Sequence, residues 1–228
     1  MKELFKSLTK FELILWISSV VIVSSAYIIS GGGDVLTGLA SVIGVTALIF
    51  VAKGYVIGQL LCLAFALIYG IISFYFKYYG ETITYLGMTA PSALAAVISW
   101  LRHPYKESKE VEVASVNKKQ IALMCLLTVI VTTVFYFILS ALGTTNLFFS
   151  TLSIATSFAA SYLTFLRSPY YAIAYSLNDL VLIVLWTAAT IQSISYLPMI
   201  FCFVCFLAND LYGFYNWRRI KKKQSSNI

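Results

Sequence analysis

Two dipeptides, Asn178-Asp179 and Asn209-Asp210, carry most of the chemical potential of this chain. Each lies deep inside a long apolar run. A carboxylate in such a setting is expensive, so it faces a cavity or a partner. Four amide or carboxylate groups on neighbouring helices can bind the hydroxyls and amides of a polar ligand, or they can hold helices together by hydrogen bonds. Two aspartates favour binding, because helix adhesion does not need them. Aromatic residues frame the cluster. Tyr175 stands one turn before Asp179 and Trp186 two turns after it, Tyr212 and Tyr215 follow Asp210, and Tyr69 lies within an earlier run. Aromatic faces with a few amides suit a flat or cationic heterocycle through stacking and cation–π contact. Aromatic belts at a membrane surface are the competing explanation. Tyr78, Tyr79 and Trp217 read as belt residues, Tyr175 and Trp186 as pocket residues.

The elements that must position these groups follow from composition. Of 228 residues, 60% are hydrophobic and 11% are charged, and the mean hydropathy is +0.87. A soluble domain is roughly 25% charged, so a soluble enzyme, a disordered chain and a secreted disulfide scaffold are excluded together. The chain reads as an all-α polytopic membrane protein. A hydrocarbon core of about 30 Å takes about 20 helical residues. Eight runs fit, over Phe11–Ser30, Val35–Ala52, Gly54–Phe76, Gly80–Leu101, Gln120–Gly143, Asn146–Leu166, Pro169–Gln192 and Ser195–Trp217. No run has the two-residue alternation of a barrel strand. The first run also resembles a signal peptide, with Lys2, Lys6 and Lys10 before it and Ser24-Ser25-Ala26 near its end. Its length, and the acids Glu3 and Glu12, favour a retained helix.

The positive balance of +7 is a topology signal rather than a nucleic-acid footprint. Lys2, Lys6, Lys10, Lys53, Arg102, Lys106, Lys109, Lys118, Lys119, Arg167, Arg218, Arg219, Lys221, Lys222 and Lys223 all fall on one side of the eight-span reading. Lys77 alone falls on the other. The positive-inside rule then puts both termini in the cytoplasm.

Two windows, Leu48–Arg102 and Tyr162–Arg219, share a pattern of helix, basic break (Lys53 or Arg167), helix, short turn and helix. They end alike, in Ser99-Trp100-Leu101-Arg102 and Asn216-Trp217-Arg218-Arg219. The chain therefore divides into an additional helix (1–30), a first triple-helix repeat (35–101), a basic loop (102–119), a linker helix (120–143), a second triple-helix repeat (146–217) and a basic tail (218–228). A single linker span makes the repeats parallel, with a binding site at their interface near the midplane. Such duplication suits an alternating-access carrier.

Other motifs carry less. Gln59, Glu81 and Asn216 stand near span ends, where reaching water costs little. Cys202 and Cys205 have CxxC spacing, but no second ligand pair or histidine accompanies them, and Cys62 and Cys125 read as apolar filler. His103 lies in the basic loop. No nucleotide-binding loop, nucleophile elbow or zinc motif is present, so neither enzyme chemistry nor a cofactor is expected. A sensor would need an output domain, which the eleven residues after Trp217 do not supply.

The stretches Ala52-Lys53-Gly54, Ile68-Tyr69-Gly70-Ile71-Ile72 and Tyr78-Tyr79-Gly80-Glu81 resemble the first half of the PnuC family of vitamin transporters. The segment from Asn209 to Arg219 resembles its closing segment, and Arg167 to Trp186 its central helix. The resemblance implies a 3+1+3 SWEET-like core, here preceded by one helix, in a homotrimer of the bacterial inner membrane. It further implies facilitated uptake of nicotinamide riboside, a vitamin precursor of NAD biosynthesis, trapped afterwards by a cytoplasmic kinase. The family's two tryptophans fall at Ala172 and Tyr175, its following acid or amide at Asp179, and its first-repeat amides at Ala64, Tyr85 and Ser92. These departures bear on the substrate, since relatives carry thiamine, riboflavin or deoxynucleosides. The expected binding residues are Tyr69, Tyr175, Asn178, Asp179, Trp186, Asn209, Asp210 and Tyr212. Few titratable groups lie deep in the spans, which favours passive transport; a proton relay through Asp179 or Asp210 is the alternative.

Overall fold

A computed structural model of the chain describes residues 2–29, 35–75, 79–144, 146–192, 194 and 197–226. Among these residues the protein is all-helical, with two isolated β-bridges, Tyr55 with Glu110 and Pro104 with Val111, in place of a sheet. The helices are α1 (Lys2–Lys6), α2 (Lys10–Ile29), α3 (Val35–Ala52), α4 (Val56–Tyr75), α5 (Tyr79–Thr84), α6 (Ala90–Arg102), α7 (Lys118–Ala141), α8 (Leu147–Phe165), α9 (Tyr171–Gln192) and α10 (Leu197–Ser225). A π-helical turn over Tyr85–Thr89 joins α5 to α6. Seven of the expected spans are long and apolar enough to cross a membrane; the remaining one contains the shorter apolar helix Gly38–Ala52. Lys77, Tyr78, Thr145, Ser195 and the break at 31–34 lie outside the described residues.

Local sequence explains the helix ends. Thr9 and Glu12 cap α2 reciprocally: the Glu12 amide donates to Thr9 Oγ1 at 3.2 Å and the Thr9 amide to Glu12 Oε2 at 2.7 Å. Asn117 and Gln120 do the same for α7, which therefore starts two residues before the apolar run. Gly54 (φ 70°) turns the chain between α3 and α4, and Arg167 (φ 58°) turns it between α8 and α9. The basic residues Arg218, Arg219, Lys221, Lys222 and Lys223 continue α10 as helix.

Helices α3, α4 and α5–α6 pack as one group and α8, α9 and α10 as a second, with α6 crossing to α8 and α10 to α3. Helix α7 rests on α8, and α2 lies against α3 and α10. Between α3 and α4 the backbones touch. A Cβ on Gly58 would collide with the main chain of Phe50 and Val51.

The end of the bundle that holds the basic residues, here the basic end, is tied by reciprocal bonds between the groups. Trp100 Nε1 donates to Thr164 O and Trp217 Nε1 to Val51 O, both at 2.9 Å. One residue earlier in each helix, Ser99 Oγ donates to Phe165 O at 2.7 Å and Asn216 Nδ2 to Ala52 O at 2.9 Å. The segment after α6 crosses both groups as a strap. Its Val111 amide donates to Gly54 O at 2.9 Å and its Ala114 amide to Arg167 O at 3.0 Å. Gln224 of α10 fastens the strap by accepting from the Val113 amide at 2.8 Å and donating to Val111 O at 3.0 Å. A core of Val51, Trp100, Val111, Leu163, Tyr171, Ala172 and Trp217 fills the space behind these bonds.

Candidate functional site

Between the two groups lies a cavity of about 460 Å³, within the size range of small-molecule sites. Its walls reach Gly80, Glu81, Gly143 and Thr144 at the end opposite the basic one. Towards the basic end they stop at Val51, Thr164 and Tyr171, and beyond these stand Trp100 and Trp217, both fully buried. The cavity therefore extends towards one end of the bundle and is plugged by tryptophan at the other.

Six of the eight expected residues line it: Tyr69, Tyr175, Asn178, Asp179, Trp186 and Asp210. Asp179 on α9 and Asp210 on α10 are buried, 3% and 5% exposed. Both line the same cavity from adjacent helices. Asp179 Oδ2 has no hydrogen-bond partner among the described residues. A buried acceptor without a partner needs an explanation, and its place in a cavity wall supplies one. One turn earlier on α9, Tyr175 Oη pairs with Ser161 Oγ at 3.0 Å. Asn178 Oδ1 accepts from Thr156 Oγ1 at 2.9 Å.

The other two expected residues do not join them. Asn209 and Tyr212 lie on the face of α10 that meets α2. Asn209 Nδ2 donates to Ser19 Oγ at 3.0 Å and Tyr212 Oη to Glu12 Oε1 at 2.7 Å. The reason is helical geometry: consecutive residues point about 100° apart, so Asn209 and Asp210 cannot share a wall. Tyr215 turns outward, 62% exposed.

The cavity has further polar lining that spacing could have revealed. Ser150, Ser153, Ser157, Ser161 and Thr164 recur at intervals of three and four along α8, and all five line it. Such a run of hydroxyls on one helical face is an amphipathic signal of modest strength. Gln59 and Cys62, set three apart on α4, line the opposite wall together with Tyr69. Glu81, read from sequence as a span-end residue, also lines the cavity, as do Tyr85 and Ser92. The π turn helps to place Tyr85, whose ring meets Tyr69 with centroids 4.5 Å apart. On α3 the lining residues are Gly44, Ala47, Leu48 and Val51, so one wall is apolar and the facing wall carries hydroxyls, amides and acids. No lysine, arginine or histidine lines the cavity among the described residues.

Cys202 and Cys205 are free thiols. Among the described residues no cluster of histidine, cysteine or acidic side chains has the make-up of a metal site.

Comparison with known proteins agrees with the residue pattern. The profile of the nicotinamide mononucleotide transporter family matches residues 34–219. The nicotinamide riboside transporter PnuC of Neisseria mucosa is 26% identical over 229 residues, spanning 98% of this chain and 87% of that protein. The crystal structure of the vitamin B3 transporter PnuC superposes with a TM-score of 0.80 at 26% identity, covering 97% of this chain and 96% of that one.

Proposed function

The chain belongs to the nicotinamide mononucleotide transporter family, a family of multi-pass membrane carriers and not of enzymes, and from that premise we propose that it carries nicotinamide riboside across the bacterial inner membrane. The observation that carries this reading is the acidic lining of the cavity: among the described residues Asp179, Asp210 and Glu81 line it without a lysine, arginine or histidine. A pyridinium ribonucleoside is a flat cation with free hydroxyls and a carboxamide. It suits acids, aromatic faces and a run of hydroxyls. The corresponding mononucleotide bears a phosphate, which calls for arginine or lysine. Tyr175 and Trp186 stack the ring, with Tyr69 across the cavity. Asn178, Asp179 and Asp210 serve the amide and the positive charge, and the α8 hydroxyls serve the ribose.

In this reading the groups around α3–α6 and α8–α10 are parallel repeats of a 3+1+3 SWEET-like core, α7 is the linker, and α2 is additional. The reciprocal tryptophan bonds support it, because each group gives the other the same donor at the same position. The basic end faces the cytoplasm with both termini, and the repeats rock about the cavity to expose it to either side. Transport is passive, with trapping by a cytoplasmic kinase, in a homotrimer. A second reading rests on Ala172, which is fully buried in the core where the family resemblance places a tryptophan. With one stacking ring fewer, the cavity would serve another aromatic cation such as thiamine.

Thermal unfolding of the purified protein with candidate ligands tests the assignment, since a ligand bound to the folded state raises apparent stability. Nicotinamide riboside is expected to raise the midpoint and nicotinamide mononucleotide to leave it unchanged. A shift with thiamine alone would transfer the assignment to the second reading. A shift with the mononucleotide alone would overturn the charge argument.

A further inference from the structure

Glu12, in the first turn of α2, is a carboxylate that takes no part in the cavity, and it is 1% exposed. All four of its hydrogen bonds are accounted for. Oε1 accepts from Tyr212 Oη at 2.7 Å and from Lys53 Nζ at 3.2 Å. Oε2 accepts from Lys53 Nζ at 2.9 Å and from the Thr9 amide at 2.7 Å. Lys53 sits at the corner between α3 and α4, and Tyr212 on α10. One side chain on the additional helix thus joins the two groups at the end where Trp100 and Trp217 plug the cavity.

The two sides of this junction are unequal. Towards the first group α2 makes an ion pair with Lys53 and a bond from Trp16 Nε1 to Thr46 Oγ1 at 3.0 Å. Phe5 of α1 adds a ring contact with Phe50, centroids 5.5 Å apart. Towards α10 there is no ion pair among the described residues: Tyr212 donates to Glu12 and Asn209 to Ser19 as neutral groups, and Phe11 meets the Tyr212 ring with centroids 5.1 Å apart. Breaking a buried ion pair leaves an uncompensated charge, whereas a phenol that moves away leaves Glu12 still paired with Lys53.

We propose that α2 is a latch on the basic end. It travels with α3, and opening of the cavity towards the basic end requires Tyr212 to leave Glu12. This rests on the alternating-access reading above, but not on the identity of the substrate. Tyr212 and Asn209 then act through conformation, and neither touches the transported molecule.

Cys62, in the cavity wall, supplies a reporter. The full chain, with Cys125, Cys202 and Cys205 replaced by alanine, is reconstituted into vesicles and treated with a membrane-impermeant maleimide from either side, with no substrate present. Tyr212→Phe removes one hydroxyl and leaves the ion pair in place. It is expected to raise labelling of Cys62 from the basic end about tenfold, the shift that losing one hydrogen bond to a charged group produces, and to lower labelling from the opposite side. Glu12→Gln, which keeps the shape, is expected to shift labelling in the same direction. Unchanged labelling in both variants, or an equal rise from both sides, overturns the latch. Protection of Cys62 by nicotinamide riboside reports separately on the substrate. Loss of protection with the sidedness shift intact would reject the proposed ligand and keep the latch.

Discussion

The indoles of Trp100 and Trp217 stand with centroids 5.3 Å apart and planes at 50°, and each N–H crosses to a carbonyl in the other helical group. The pair is at once the plug of the cavity and the joint between its two walls.

Trp217→Phe keeps a smaller ring but removes the indole N–H that crosses to Val51 O, leaving that oxygen with the Gly54 amide alone. A loss of about 1–3 kcal/mol in unfolding free energy is expected, read from thermal or denaturant unfolding in detergent. Combined with Trp100→Phe, the two losses should fall short of additivity by about 0.5–1.5 kcal/mol, because the rings also contact each other. Strict additivity would show that the two indoles act independently.

Neutralising the acids tests the charge of the cavity. Asp179→Asn and Asp210→Asn should each weaken binding of a cationic nucleoside about ten- to hundredfold, measured by calorimetry. Uptake that survives Asp179→Ala intact would remove this residue from the site.

Gly58→Ala places a methyl against the main chain of Val51 and Phe50. Because backbone gives way less readily than side chain, a loss of about 1–3 kcal/mol is expected, with α3 and α4 forced apart. A melting temperature equal to that of the parent would contradict the close contact.

Gln224→Ala releases the strap from α10. The amide of Val113 then has no acceptor from that side chain and should exchange with solvent about tenfold faster, as hydrogen exchange resolved at that residue would report. Equal protection in parent and variant would mean that the bonds to Gly54 O and Arg167 O hold the strap without Gln224.

Run length and basic punctuation make the helices legible, and Asp179 and Tyr175, which stand out as polar and aromatic groups one turn apart in an apolar run, both line the cavity. What the sequence hid was direction around a helix. Asn209 and Asp210 look like one polar site in a linear reading, yet one bonds Ser19 and the other lines the cavity. Nearness to Asp210 in the sequence suggests a pocket role for Tyr212, whereas its partner, Glu12, is two hundred residues away. Glu12 itself looked like an ordinary residue before an apolar run, since nothing local announces Lys53 as its counter-ion. Glu81 stands near a span end, and distance from a span end does not distinguish outer surface from the cavity lining it forms. The α8 hydroxyls have a readable period, but serine and threonine in a membrane helix commonly bond their own backbone, as Thr164 does to Ala160 O, so the period alone does not mark a cavity wall.

At the basic end the bonds exchanged by Ser99, Trp100, Asn216 and Trp217, and those from the Val111 and Ala114 amides of the strap, all end on carbonyls: Val51, Ala52, Gly54, Thr164, Phe165 and Arg167. A main-chain oxygen is supplied by any amino acid, so mutation on the accepting side leaves the bond in place provided the local path of the chain is kept. Duplicated halves joined in this way are free to drift apart in composition while their geometry stays matched. On the proposed reading of two repeats, that suits a duplication faint in letters, with Ser99 opposite Asn216 and Lys53 opposite Arg167, whose matching bonds are main-chain ones.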